Sequence, residues 1–363
     1  MDAINIYKLK ANPFRTVPAT NEEEIIWAGF GEIKEKFEKR IRRIIKLPNS
    51  SILLNWGEYG SGKTHAARYF SCQNVLREIC QPADGICPLS IVINFPGKYA
   101  VKEIFVSIID KIDFHSIHSA LHERGVIKAA SSVTDSIFAQ SVVDYISDKS
   151  FDADLYKKYL YGSLTSKEKG DLPFLRSINT DNDIIEILSA LLSYLTENGV
   201  YPAIIIWIDE FEHIAYQSSS SINSINNFIK VLLDKTPNRL LLIINFTLSA
   251  MANYEDLSAY LQDAVKSRIK ERIEFPIPNQ AQLLEYLREL LDFYRIDSSE
   301  SVFSPFDIDV IYQLIKDLGD VSLRRFNDAM SLLLENALCD DKASITLEYY
   351  ESIKSEIIGW QGA

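Results

Sequence analysis

Four short stretches of the chain are apolar at nearly every position: SILLNW (51–56), LSIVINF (89–95), AIIIWI (203–208) and RLLLIINFT (239–247). A strand apolar on both faces is one covered on both faces, and segments with helical spacing separate these four. The pattern predicts an α/β fold, a parallel sheet between helices. Ahead of the first strand, residues 31–46 place Ile33, Phe37, Ile41, Ile44 and Ile45 on one helical face. Seven Lys/Arg against three Glu occupy the rest of that helix, which reads as a solvated face or as a patch for DNA or a partner. A second helix is predicted from Lys63 to about Cys80. Residues 1–30 are irregular, with a turn signal at Asn12-Pro13-Phe14.

The stretch between the second and third strands, 96–202, is far longer than one crossover helix requires. Its ends are helical, and about 113–181 is predicted as a helical subdomain inserted on the core. SSSSINSINN, after the third strand, reads as a mobile loop. Beyond the fourth strand the expectation is a helix and a short strand, Ile273–Phe275. From Asn279 onward every periodic segment is helical. The predicted organisation is therefore a core over 1–278 and a C-terminal helical domain over 279–363, with too little chain left for a winged-helix module.

Composition adds limits. With 47% hydrophobic and 24% charged residues the chain is globular, and no apolar run approaches the length of a membrane span. The N-terminus lacks the charged and apolar regions of a signal peptide, so the expected location is cytoplasmic, without membrane partners. Cys72, Cys80, Cys87 and Cys339 have no paired spacing and read as reduced and buried. A net charge of −12 argues against a surface coated for nonspecific nucleic-acid binding, though not against a local basic patch.

Chemistry concentrates where the first strand ends. Gly57-Glu58-Tyr59-Gly60-Ser61-Gly62-Lys63-Thr64 follows a strand and opens a helix, the setting a phosphate-binding loop requires. Its glycines let backbone N–H groups turn toward phosphate oxygens, Lys63 adds charge there, and the Thr64 hydroxyl can bind Mg²⁺. His65 follows directly. The third strand ends at Asp209-Glu210: Asp209 can hold Mg²⁺ and Glu210 can polarise an attacking water. Asn245 and Thr247 end the fourth strand, and either, Thr247 by preference, could orient that water. Arg268 and Arg272, and in the C-terminal segment Arg324 and Arg325, are candidates to meet charge on a γ-phosphate, or are ordinary surface cations. His115, His118 and His122 share a helical face, but a polar face of the insertion explains them better than zinc does.

In this order the motifs resemble the AAA+ ATPases, specifically the Orc/Cdc6 initiators and transposition ATPases, over most of the chain. The resemblance implies ATP and Mg²⁺ as cofactors, the water-orienting sensor role for Thr247, an arginine finger at Arg268, and a lid arginine at Arg324 or Arg325. It also implies that Asn12, Pro13 and Phe14 lie near the adenine. The lid reads GDVSLRR, with extra residues before the arginine, and the initiators' winged helix is absent. YLYGSLTSKEKGDLPFLRSI in the insertion looks like ATPases of BREX-type phage-defence loci. Together these imply an ATPase that oligomerises with ATP at subunit interfaces and acts on DNA or a partner effector, in genome defence or mobile-element transactions. The alternative is a nucleotide-dependent switch or scaffold that binds a protein partner without touching DNA.

Overall fold

The computed structural model describes residues 6–15, 22–82, 85–97, 100–174, 176–248, 257, 260–297 and 301–359. Five strands, β1 (Ser51–Glu58), β2 (Leu89–Asn94), β3 (Ile204–Asp209), β4 (Leu240–Leu248) and β5 (Ile269–Phe275), form one sheet in the order β2-β3-β4-β1-β5. β2, β3 and β4 pair in parallel, with Asn94 opposite Asp209 and Ile208 opposite Ile244. Every residue of β3 is buried, which is why IIIWID is apolar on both faces until its last position. With its flanking helices this is the predicted parallel α/β architecture.

Three local expectations are corrected. β5 begins at Ile269, not Ile273. Its charged residues alternate with Ile269, Ile273 and Phe275, the period-two pattern of a strand, and it lies at the sheet's edge, where Lys270, Arg272 and Glu274 stay exposed. The serine-rich stretch is a helix, Ser219–Lys235: the Ser218 side chain caps it, accepting from Ser221 N at 3.2 Å. Below the cap Ile225, Phe228, Ile229, Leu232 and Leu233 fall on one buried stripe. The helix after the phosphate loop is two helices, Lys63–Tyr69 and Gln73–Cys80, broken where Ser71 pairs with Ser90 of β2 (2.8 Å between hydroxyls).

The chain divides into two compact units. The larger comprises Phe37–Trp56 and Phe70–Ile273. The flanking helices 100–110 and 181–197 and the insertion helices between them (114–124, 137–144 and 153–161) share one continuous apolar core with the sheet strands. Edge-to-face contacts of Phe114 with Tyr156 (5.0 Å) and Tyr145 with Phe174 (5.7 Å) knit its helices together. His118 bonds the Ile146 carbonyl (2.7 Å) and stacks on Phe151.

The smaller unit comprises Met1–Lys36, Gly57–Tyr69 and Glu274–Ala363. Four helices, 280–294, 308–318, 323–339 and 347–358, pack around Leu287, Val310, Ile311, Met330, Leu334 and Tyr350. The N-terminal segment joins this core: Lys10 N donates to the Tyr294 carbonyl and Ile296 N to the Lys8 carbonyl, each at 2.8 Å. Of the four cysteines Cys72 and Cys87 are buried, whereas Cys339 is exposed near a helix end, contrary to expectation. No helix among the described residues is long and apolar enough to cross a membrane.

Candidate functional site

In the smaller unit the phosphate loop is shaped by glycines. Gly60 and Gly62 have φ of +76° and +109°, where side chains are disfavoured. A Cβ on Gly57 would stand 2.7 Å from the Phe275 carbonyl oxygen, and one on Gly60 2.6 Å from Arg324 Cβ. The backbone therefore bends without room for side chains, as a cradle for phosphate oxygens demands. Lys63, buried at the first turn of its helix, donates from Nζ to the carbonyls of Glu58 (2.8 Å) and Gly57 (2.9 Å). Its ammonium is thus kept at the loop. Thr64 follows, half-buried.

The C-terminal helices reach the loop through the start of helix 323–339. Arg324 N donates to the Gly60 carbonyl (3.1 Å), and the Arg324 guanidinium lies over the exposed Tyr59 ring, 4.4 Å from its centroid. Arg325 turns away, its Nη2 meeting the Ile358 carbonyl at 3.5 Å. Of the two arginines, then, Arg324 is the one at the loop.

The N-terminal segment meets the loop's helix through residues that the sequence reading passed over. His65 Nε2 donates to the Ile26 carbonyl (2.6 Å), and Trp27 packs against Tyr69 (5.4 Å), His65 (6.3 Å) and Phe275 (6.4 Å). Burial lowers the His65 pKa, which fits a neutral ring donating to a carbonyl. Asn12 and Phe14 face the C-terminal segment: Asn12 Nδ2 donates to Ser331 Oγ (2.8 Å), and Phe14 packs edge-on against Phe306. A tryptophan two residues before a glycine in IIWAGFGE was the available signal for Trp27.

In the larger unit Asp209 is buried at the end of β3. Asp209 Oδ1 accepts from Asn245 Nδ2 (3.0 Å) and from Glu210 N (3.1 Å). Both hydrogen bonds fall on Oδ1, which leaves Oδ2 with acceptor capacity for a cation. Behind them Asn55 of β1 donates from Nδ2 to Asn245 Oδ1 (2.8 Å). Glu210 adopts left-handed backbone (φ 58°, ψ 34°) and is exposed. For a non-glycine residue that geometry costs about 1–3 kcal/mol, a strain concentrated at functional sites. Thr247 is half-buried, and its N–H donates to Glu212 Oε2 (3.1 Å). The side chain bonded to Asp209 is therefore that of Asn245.

Arg268 follows the short helix Asp263–Lys266 and is held in its own unit, bonded to the Asp234 carboxylate and the Ala264 carbonyl. Arg272 is on β5, not on a helical turn after Arg268.

No protein-family model matches the chain, and no curated protein matches it by sequence. Solved structures do match. The ORC2 protein of Aeropyrum pernix in its ADPNP–ADP complexes aligns over 96% of this chain and 72% of its own, with a TM-score of 0.56 and 15% identity. The ORC1 protein of the same organism in complex with DNA aligns over 96% and 70%, with a TM-score of 0.54 and 15% identity. The ADP form of ORC2 gives a TM-score of 0.52 at 16% identity, over 96% and 73%. The fold is that of the AAA+ ATPases. At this identity the likeness is one of AAA+ fold, shared with proteins of the Orc type that the sequence motifs resemble.

Proposed function

We propose that this chain is a Mg²⁺-dependent AAA+ ATPase that binds ATP at subunit interfaces and couples hydrolysis to assembly on DNA. The observation that carries the reading is the bonding of Asp209: a buried carboxylate with one oxygen occupied by two donors and the other without a donor among the described residues, open to a cation. The Asp209 carboxylate and the Thr64 hydroxyl are each oxygen donors of the kind that Mg²⁺ takes. Bound there, Mg²⁺ would neutralise charge on the phosphate oxygens.

The chain's residues divide the remaining work. The Gly57–Gly62 backbone and Lys63 bind the β- and γ-phosphates, and Arg324 of the same unit supplies a second cation once it leaves Tyr59. Glu210 takes a proton from water as the water oxygen bonds to the γ-phosphorus and the bond to the bridging oxygen breaks. Asn245, with Thr247 as the alternative, orients that water. Arg268 serves a neighbouring subunit's γ-phosphate, and to do so it must leave Asp234. His65 holds Ile26, and with it Trp27, against the loop's helix. The division into a core over 1–278 and a lid over 279–363 belongs to the same proposal, and the insertion's likeness to BREX-type ATPases supports a genome-defence setting.

DNA as substrate draws support from the ORC1 structure with DNA, a likeness of fold. One observation favours the second reading, a switch acting on a protein partner. The basic helix 31–46 spends its arginines internally: Arg40 is buried against Ser51, Arg42 pairs with Glu38 and Arg43 with Glu271. The test combines two variants and one titration. Lys63→Ala should lose ATP binding, while Glu210→Gln should bind ATP without turnover and trap an assembled form on DNA. Wild-type turnover by Glu210→Gln refutes the hydrolytic assignment. DNA affinity that ignores ATP at every salt concentration assigns the chain to the protein-partner reading.

A further inference from the structure

We infer that Asn55 is a positioning residue for the metal-binding carboxylate, acting through Asn245 to fix which oxygen of Asp209 faces the cation. The inference rests on the reading of Asp209 as a Mg²⁺ ligand. It concerns a buried residue whose side chain donates to Asn245, on a strand whose other members at that depth, Ile52, Leu53 and Leu54, are apolar and buried.

The polarity of the chain of bonds follows from the anion. An ionised carboxylate only accepts, so Asn245 must turn its NH₂ toward Asp209. Its Oδ1 then faces β1, where Asn55 must present its own NH₂, and the two bonds run Asn55 to Asn245 to Asp209 at 2.8 and 3.0 Å. All three side chains are buried on β1, β4 and β3, neighbouring strands of the sheet. The last amide oxygen in the row, Asn55 Oδ1, is buried with no hydrogen-bond partner among the described residues. Leaving a buried carbonyl oxygen unpaired is destabilising, and leucine would remove the problem. An asparagine kept here despite that orphan oxygen is explained by the bond it donates. That bond holds Asn245 in the one orientation that saturates Oδ1 and leaves Oδ2 for the metal. β1 runs directly into the phosphate loop, so the same strand that carries Lys63's loop also sets the metal ligand.

The experiment uses the full chain as wild type, Asn55→Leu, Asn55→Asp, Asn245→Leu and the Asn55→Leu/Asn245→Leu double variant. ATP affinity is measured by calorimetry in excess Mg²⁺ and in EDTA, alongside the Mg²⁺ concentration that half-saturates ATP binding. Outer-shell partners of metal ligands typically alter metal affinity by about 10–100-fold. Asn55→Leu should raise half-saturating Mg²⁺ by about tenfold, the lower end of that range, with ATP affinity in EDTA unchanged. Asn55→Asp should shift it further, because a carboxylate at 55 captures the Asn245 NH₂ and turns its oxygen onto Asp209. The double variant should match Asn245→Leu alone, since Asn55 has no route to the metal except through Asn245. A merely structural role would lower the melting temperature and ATP affinity in EDTA without moving the Mg²⁺ requirement. Asn55→Ser, smaller and still a donor, serves if the leucine variant does not fold, with a smaller shift expected. Unchanged Mg²⁺ requirement in the folded variants, or summed shifts in the double variant, overturns the role of Asn55 alone. Absence of any Mg²⁺-dependent ATP binding by the wild type overturns the ATPase reading together with it.

Discussion

Substituting Gly60 by alanine tests whether the C-terminal helices grip the phosphate loop. Two costs add. At φ +76° a β-carbon meets the penalty of left-handed backbone, about 1–2 kcal/mol. The new methyl would also stand 2.6 Å from Arg324 Cβ and 3.0 Å from Ser322 Oγ. Ser322 can rotate its hydroxyl away, but Arg324 Cβ is fixed by the helix that Ser322 caps. Relief therefore requires the helix start and the loop to separate, an overpacking cost of about 1–3 kcal/mol that also breaks the Arg324–Gly60 hydrogen bond. Gly60→Ala should lose about 2–5 kcal/mol in urea unfolding. Combining it with Arg324→Gly removes the colliding carbon while leaving the backbone penalty. The double-mutant cycle should return a favourable coupling of about 1–3 kcal/mol. Additivity within about 0.5 kcal/mol would show that the loop and helix 323–339 do not press on each other, and the reasoning would fail.

Two further outcomes are expected. If Arg268 acts in trans, Arg268→Ala should cut turnover by about 10³ or more, and mixing it with Glu210→Gln subunits should restore part of it. Asp234→Asn should raise turnover by releasing the arginine, and the same low rate in mixed and unmixed samples would refute the trans assignment. The second outcome concerns pH. Burial depresses the His65 pKa, so the folded chain favours the neutral ring; stability is fully present above the unfolded value of about 6.5 and is lost as pH falls from there through the folded value. His65→Gln retains an Nε2–H for the Ile26 carbonyl and cannot titrate, so urea midpoints below about pH 6.5 should flatten in that variant relative to wild type. Identical acid limbs would remove His65 from the account.

The sheet was legible because four of its five strands are apolar at nearly every position, a pattern few other structures impose. The strand ends were legible for the opposite reason: Asp209 breaks a fully buried run, and the glycine loop follows another. What the sequence concealed is instructive in its causes. The first half of β5 hid because charge on its open face resembles a helical run, and only the period of two gives it away. The serine stretch hid because low complexity outweighed a cap at Ser218 and the isoleucines behind it. The choice between Arg324 and Arg325 turns on which side of a helix start faces Gly60, a contact between segments some 260 residues apart in the chain. Asn55 was overlooked because one polar residue in an apolar strand has no meaning until its neighbours across the sheet are known.

Each cation assigned to phosphate is already engaged with the chain itself. Lys63 donates to the carbonyls of its own loop, Arg324 lies on Tyr59, and Arg268 is bonded to Asp234. Phosphate binding would therefore exchange one set of partners for another, and only the difference between the two would appear as affinity. The three exchanges are not equal. Lys63 leaves neutral carbonyls, and a phosphate oxyanion is the stronger acceptor. Arg324 leaves an exposed aromatic face, an interaction worth about 0.5–1 kcal/mol. Arg268 alone must leave a carboxylate, so its transfer gains least from charge and depends most on what a second subunit contributes around it. If the proposed trans role of Arg268 holds, nucleotide capture by Lys63 would precede the engagement of Arg268, and assembly of subunits, more than ATP binding itself, would be the step that Asp234 restrains.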